Sequence, residues 1–192
     1  MIDGTSEAAK SKLLDELPNG SLVVKTYDSA VKEFLVRKYH ATPVRPFVSF
    51  TRSADDPNPS PLGKIVESRK LEPGVVAMFA SNGYMDSELA RHFSDGARWF
   101  GIEENGQVVS ACFVFRNFET VWEIGGVFTQ PDHRRQGLAS RVITAALGYL
   151  NKSRYLPRYQ VRSDNIASID LAKAAGLKEF LRLDHYLVDR RS

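Results

Sequence analysis

The residues best able to do chemistry in this chain form one run, Gln130-Pro131-Asp132-His133-Arg134-Arg135-Gln136-Gly137-Leu138-Ala139, between a strand-like stretch and a helical one. Ala139, Val142, Ile143, Ala146, Leu147 and Leu150 then recur at helical spacing. A helix start offers unpaired backbone N–H groups and the positive end of the helix dipole. Gly137 has no side chain and Ala139 a short one, so an anion can approach that backbone, while Arg134, Arg135 and, one turn on, Arg141 add charge. The chemistry this suits is pyrophosphate binding. Taken alone, a basic turn reads more readily as a solvated loop. The run lacks the Gly-x-x-x-x-Gly-Lys-Ser/Thr and Gly-x-Gly-x-x-Gly spacings, so ordinary nucleotide-triphosphatase and dinucleotide-binding readings lose support.

Gly125-Gly126 interrupts the strand-like stretch just upstream. Adjacent glycines weaken a strand unless a bulge or a close backbone approach requires them; a bend in a twisted sheet is the alternative. Cys112 lies in an apolar strand and reads as core, and as the single cysteine it forms no internal disulfide. The four histidines show no metal-ligand spacing, so no metal is expected. A balance of +3 mixed along the chain is not the basic stripe of a nucleic-acid binder. No apolar run approaches the ~18 residues of a membrane span, and the polar, acidic N-terminus is unlike a signal peptide. The expectation is a cytoplasmic protein without nucleic-acid or membrane partners. The glycosylation-type triplets at Asn19 and Asn151 are chance matches on that reading.

These residues need a scaffold. The pattern predicts a helix over Ser6–Leu17, a strand over Leu22–Tyr27, and a helix from Ser29 to about Tyr39 capped by Asp28. A short apolar piece, Phe47–Phe50, precedes the Pro-, Ser- and Asp-rich stretch from Arg52 to Gly63, the clearest linker. The boundary is placed there, giving an extension and linker over 1–62 and a second domain over 63–192. In the latter, a strand over Ile65–Leu71 and a helix opening at Pro73 precede a short helix over Ser87–Phe93. Strands Trp99–Glu103 and Val108–Phe115 flank Asn105-Gly106, the strongest hairpin signal. A turn at Asn117–Glu119 leads to Thr120–Thr129. After the long helix come a strand over Tyr159–Arg162, a helix ending near Ala175 with Gly176 as its stop, and two closing strands, Glu179–Leu183 and Tyr186–Val188.

The run Gly126-Val127-Phe128-Thr129 through Ala139 resembles the acyl-CoA signature of the GNAT superfamily of N-acetyltransferases, Arg/Gln-x-x-Gly-x-Gly/Ala after a bulged strand. Asn165-Ile-Ala-Ser168-Ile-Asp-Leu171-Ala-Lys-Ala-Ala-Gly176-Leu177 resembles the family's second motif, Asn-x-x-(Ala/Ser)-x-x-Leu-Tyr-x-x-x-Gly-Phe. Both occur in the family's order, within a likeness covering about Ile65 to Val188; the form of the first is similar to glycine N-acyltransferase-like proteins. The implied fold is α/β (α+β), a mixed, mostly antiparallel central sheet flanked by helices, here with an N-terminal αβα extension that resembles a degenerate second half of the same kind.

The resemblance implies an acetyl-CoA cosubstrate and a small-molecule or peptide amine acceptor, with homodimer formation left open. Backbone groups of Val127, Phe128 and Thr129 would pair with the pantetheine arm, the bulge aiming one N–H, at Val127, at the thioester carbonyl as an oxyanion donor. Arg134, Arg135, Gln136, Gly137, Leu138, Ala139 and Ser140 would cradle the pyrophosphate. Asn165 and Ser168 would contact the arm or cap the helix that follows. A lysine-like amine with pKa ~10.4 is neutral in about one molecule in ~2500 at pH 7, so attack needs a base or a water relay. Glu123 is that candidate, four residues before Val127 and on its face if the bulge lies elsewhere; a structural carboxylate is the alternative. Glu103 and Glu119 read as solvent-facing. Ala172 stands where many family members carry the tyrosine that protonates the leaving thiolate. Tyr186 is a stand-in or a packing residue, and Tyr84, Trp122 and Tyr186 are candidates to line an acceptor pocket. A non-catalytic CoA-binding or acyl-CoA-sensing module is the rival to the enzyme.

Overall fold

The computed structural model describes residues 12, 16, 20–53, 56, 57 and 63–189. The helix expected over Ser6–Leu17 falls outside them except for positions 12 and 16. Among the described residues the fold is mixed α/β, a largely antiparallel sheet flanked by five helices. Two compact units share the chain: Met1–Ser49 with Val161–Asn165 and Phe180–Ser192, and Phe50–Gln160 with Ile166–Glu179.

In the first unit, β1 (Ser21–Thr26) runs antiparallel to the last strand, β9 (Lys178–Asp189), from Ser21↔Asp189 to Thr26↔Asp184. Helix α1 (Ser29–Tyr39) starts where the Asp28 carboxylate accepts the Val31 N–H at 3.0 Å. It buries Val31 and Leu35 with Ala41 and Val188, and it ends at His40, whose φ of 49° breaks the helical path. A two-residue strand β2 (Thr42–Pro43) also pairs with β9. Asp184 and His185 do not divide the closing segment as the sequence suggested. Asp184 pairs with Thr26 and meets Lys32 at 2.5 Å, and His185 stacks on Phe47 at 4.5 Å, so polar residues sit inside one continuous twelve-residue strand. Phe47 opens β3 (Phe47–Thr51).

The second unit carries the candidate site. Strand β4 (Val66–Ser68) is shorter than expected because the Ser68 hydroxyl accepts the Lys70 N–H and turns the chain. It pairs with β5 (Arg98–Glu104), β5 with β6 (Gln107–Phe118), and β6 with β7 (Val121–Thr129), all antiparallel. Asn105 (φ 52°) and Gly106 (φ 76°) form the turn that their left-handed tolerance predicts. Helix α2 (Pro73–Ser81) begins on its proline, and α3 (Asp86–Ser94) follows. They cover one face of β5–β7 through Val75, Phe79, Leu89, Trp99 and Phe113. On another side α4 (Leu138–Lys152) buries Ala146 and, each worth roughly 1.5–3 kcal/mol, Leu138, Val142, Ile143, Leu147 and Leu150 against β5–β7. β8 (Leu156–Arg162) starts three residues earlier than expected, and α5 (Ile166–Ala174) follows.

The linker opens as a fixed turn. Arg52 is buried, its guanidinium donating to the carbonyls of Asp56 (2.9 Å) and Pro57 (2.6 Å), while the Asp56 carboxylate accepts the Ser53 N–H. The division at 62/63 stays an expectation drawn from composition.

Candidate active site

The register of β6 on β7 slips between Ala111↔Phe128 and Phe113↔Gly125. Three steps on β7 face two on β6, so Gly126 and Val127 share one position opposite Cys112, with Gly126 at φ 62°. The bulge therefore lies between Glu123 and Val127, and the counting that put these two on one face does not hold across it. The parallel ladder of β7 on β8 runs from Val121↔Leu156 to Ile124↔Tyr159 and ends, while β7 continues to Thr129. Bulge and parting of strands thus coincide, leaving the Val127–Thr129 edge unladdered by β8. The Val127 and Thr129 carbonyls accept from Asn82 Nδ2 (3.3 Å) and Arg134 Nε (3.1 Å), side chains that a ligand can displace.

Both glycines are close-approach positions. A Cβ on Gly125 would stand 2.5 Å from the Tyr84 hydroxyl and 3.0 Å from the Phe115 ring, and one on Gly126 would stand 2.6 Å from Phe113 and 2.9 Å from Phe79. Tyr84, from the α2–α3 loop, lies edge-on to Phe113 at 5.0 Å, with its hydroxyl against Gly125 and facing the Gly126 amide. Burial raises the Tyr84 pKa well above the phenol range, the Glu123 charge raises it further, and the Gly126 amide pulls the other way.

Glu123 pairs with Phe115 across the ladder, and its side chain is 14% exposed. Its Oε2 accepts from Asn117 Nδ2 at 2.7 Å, Asn117 Oδ1 accepts from Arg158 Nη1 at 3.2 Å, and Arg158 Nε lies 3.8 Å from the same Oε2. Asn117 and Arg158 escaped the sequence reading. Arg158 stands beside Glu123 only through the parallel register Glu123↔Arg158, which no local pattern announces. His92 lies on Phe115 at 4.1 Å; burial lowers its pKa first and Arg91 next, against Glu88 at 3.7 Å. Glu103 and Glu119 are exposed.

At the basic turn, Pro131–His133 form a 3-10 turn, Arg135 takes φ 64°, and Gly137 (φ 75°) precedes Leu138 with no side chain capping the helix. Arg134, Arg135, Gln136 and Gly137 are exposed, Ala139 and Ser140 half-buried, and Leu138 is buried as the anchor. Arg134 lies over the half-buried Phe128 at 5.9 Å, Gln136 reaches the Asp132 carbonyl at 3.5 Å, and His133 meets Glu104 at 3.4 Å. A Cβ on Gly137 would meet nothing within 4 Å. An open, uncapped helix start flanked by two arginines fits a pyrophosphate. Gly137→Val would fill that space and strain a left-handed backbone. On the expectation that this turn holds the pyrophosphate of acetyl-CoA, calorimetry should show that affinity at least tenfold weaker, with unchanged affinity counting against the cradle.

Asn165, exposed, directly precedes α5. The Ser168 hydroxyl is engaged with the Tyr159 phenol, whose pKa burial raises and Ser168 lowers. Ala172, one turn further along, is fully buried. Tyr186 packs on the α1 cluster of the first unit. Trp122 is buried and stacked on Tyr155 at 4.5 Å, one strand position from Glu123 and so on the opposite face of β7. Of the three pocket aromatics, Tyr84 is the one beside the bulge. Cys112 is buried at 0% exposure, its thiol pKa pushed up by burial, which suits core and not nucleophile.

Among the described residues no group of three or more His, Cys, Asp or Glu could hold a metal ion, and no helix is long and apolar enough to cross a membrane. No curated protein matches the chain. Its fold is similar to a protein of the GNAT family from Novosphingobium aromaticivorans (TM-score 0.67, 17% identity, 98% of this chain and 83% of that one). It is also similar to a Drosophila protein (TM-score 0.73, 16% identity, 100% and 69%). A tandem GNAT protein from the clavulanic acid biosynthesis pathway, solved without acetyl-CoA, gives TM-score 0.66 at 15% identity over 97% and 69%. None of these supports the narrower glycine N-acyltransferase-like likeness. The profile of the acetyltransferase (GNAT) family matches residues 67–177, the span from β4 through the bulge and the basic turn to the end of the second motif. With more than half of its length matched, this chain belongs to the GNAT family of acetyltransferases.

Proposed function

We propose that the chain transfers an acetyl group from acetyl-CoA to a primary amine by direct attack. The observation that carries this reading is one sequence of backbone features: a glycine bulge where β8 leaves β7, followed within a dozen residues by an open, uncapped helix start. Bound there, acetyl-CoA supplies an activated acyl group. Arg134, Arg135 and the amides from Gln136 to Ser140 hold its pyrophosphate, Val127, Phe128 and Thr129 line its arm, and Asn165, just before α5, and Ser168, in its first turn, stand beside it. The Val127 N–H faces the charge that develops on the acyl oxygen. Glu123, held at one oxygen by Asn117, takes the proton that the amine loses on attack. The acceptor is a small-molecule or peptide amine that enters beside His92 and Phe115.

The second reading, a non-catalytic acyl-CoA sensor, is favoured by one observation: Ala172 offers no hydroxyl to a leaving thiolate. A thiol-release screen over lysine peptides, protein N-termini, amino acids, polyamines and drug-like amines separates the two. Buried Cys112 adds no background to it. Release with at least one acceptor class is the expected result, while binding without release across all classes selects the sensor.

A further inference from the structure

We infer that Tyr84 is a second oxyanion donor, its hydroxyl facing the Gly126 amide and offering its own proton to the acyl oxygen beside the Val127 N–H. The inference rests on the acyl-transfer reading above and adds to it a residue outside both motifs. A phenol oxygen accepts one hydrogen bond and still carries a proton to give. Here the hydroxyl stands against Gly125 and faces the Gly126 amide, one peptide from Val127, so the donor side is the one that serves the same oxygen. Two features seat the hydroxyl there. Gly125 has no Cβ, and one would stand 2.5 Å from it. Phe113 holds the ring edge-on. Because burial and the Glu123 charge both hold the phenol in its neutral form, it remains a donor throughout the working pH range.

The electron count is that of acyl transfer. The amine nitrogen attacks the carbonyl carbon, and the π pair moves to oxygen, where Tyr84 O–H and Val127 N–H receive it. The pair returns as the carbon–sulfur bond breaks and its electrons leave on sulfur. Tyr84 keeps its proton throughout, and the proton lost by nitrogen goes to Glu123.

The test uses the whole chain with acetyl-CoA labelled with carbon-13 at the acetyl carbonyl and no acceptor present, reading that carbonyl's infrared stretch. In the wild type the stretch is expected below its value in water. In Tyr84→Phe, which keeps the ring on Phe113, it is expected to move to higher wavenumber. The turnover number is expected to fall about a hundredfold, with the KM for acetyl-CoA within about threefold. Gly125→Ala, which displaces the hydroxyl without removing it, is expected to reproduce both changes and stands in if the phenylalanine variant fails to fold. An unshifted carbonyl with unchanged turnover, whatever the melting temperature does, reduces Tyr84 to a packing residue and overturns the inference while leaving acetyl-CoA binding intact. Absence of acetyl-CoA binding to the wild type overturns the function itself, and this inference with it.

Discussion

Glu123→Gln is expected to lower turnover about a thousandfold at pH 7 while leaving acetyl-CoA affinity within about twofold. The substitution keeps the size of the side chain and one oxygen for the Asn117 amide, so the 2.7 Å contact has a substitute and the strand position is undisturbed. What disappears is the acceptor that the proposed mechanism gives to the amine's proton. Reaction then depends on the fraction of amine already neutral, so the residual rate should climb close to tenfold per pH unit between pH 6 and 9, whereas the wild-type profile is flatter. That slope distinguishes a base from a carboxylate that merely attracts a cationic acceptor. Losing the attraction would raise the acceptor KM and leave the pH slope alone. Wild-type turnover across the range would remove Glu123 from the chemistry. The neighbouring Arg158, 3.8 Å from Oε2, makes the contrast sharper, because the glutamine variant leaves its buried Nε facing a neutral amide.

The parts of this site that sequence could reveal are those written in local backbone chemistry. Gly137 before an apolar helical repeat, Asn105-Gly106 between two alternating runs, and Asp28 before α1 are each read within a few residues, and each takes the conformation its type favours. The doublet Gly125-Gly126 announced a bulge or a close approach without saying which. The structure has both: the register slip explains the positive φ of Gly126, and Tyr84 and Phe113 explain the missing Cβ atoms. Contacts that depend on register between distant segments stayed invisible. Arg158 meets Glu123 through a parallel pairing that follows α4, and Tyr84 meets Gly126 from a loop some forty residues upstream whose direction no periodicity encodes. The one-face argument for Glu123 and Val127 failed for the same reason, since alternation is a rule for unbulged strands. The two polar residues Asp184 and His185 interrupt the apolar pattern of the closing segment, but their partners Lys32 and Phe47, which keep it one strand, lie far away in the chain.

Gly126 is the position at which fold and site are hardest to separate, and Gly126→Ala should be the most damaging single-methyl change in the second unit. Two costs coincide there. A φ of 62° is unfavourable for any residue with a Cβ, by about 1–2 kcal/mol. The new methyl would lie 2.6 Å from the Phe113 ring and 2.9 Å from that of Phe79, both inside a close-packed core where displacing rings costs a further 1–3 kcal/mol or so. A loss of about 3 kcal/mol, read as a fall in Tm of about 10 °C, is expected. Gly176→Ala supplies the control. Its φ of 79° is comparable, but a Cβ there meets nothing within 4 Å, so it should cost about 1 kcal/mol and shift Tm by only ~3 °C. Equal losses in the two variants would mean that φ alone made Gly126 necessary and that the Phe113 and Phe79 rings yield freely. In that case the aromatic wall holding Tyr84 is softer than its packing indicates. The larger loss at Gly126 would instead identify the bulge as a fixed feature, its N–H held in place by the same rings that seat the phenol.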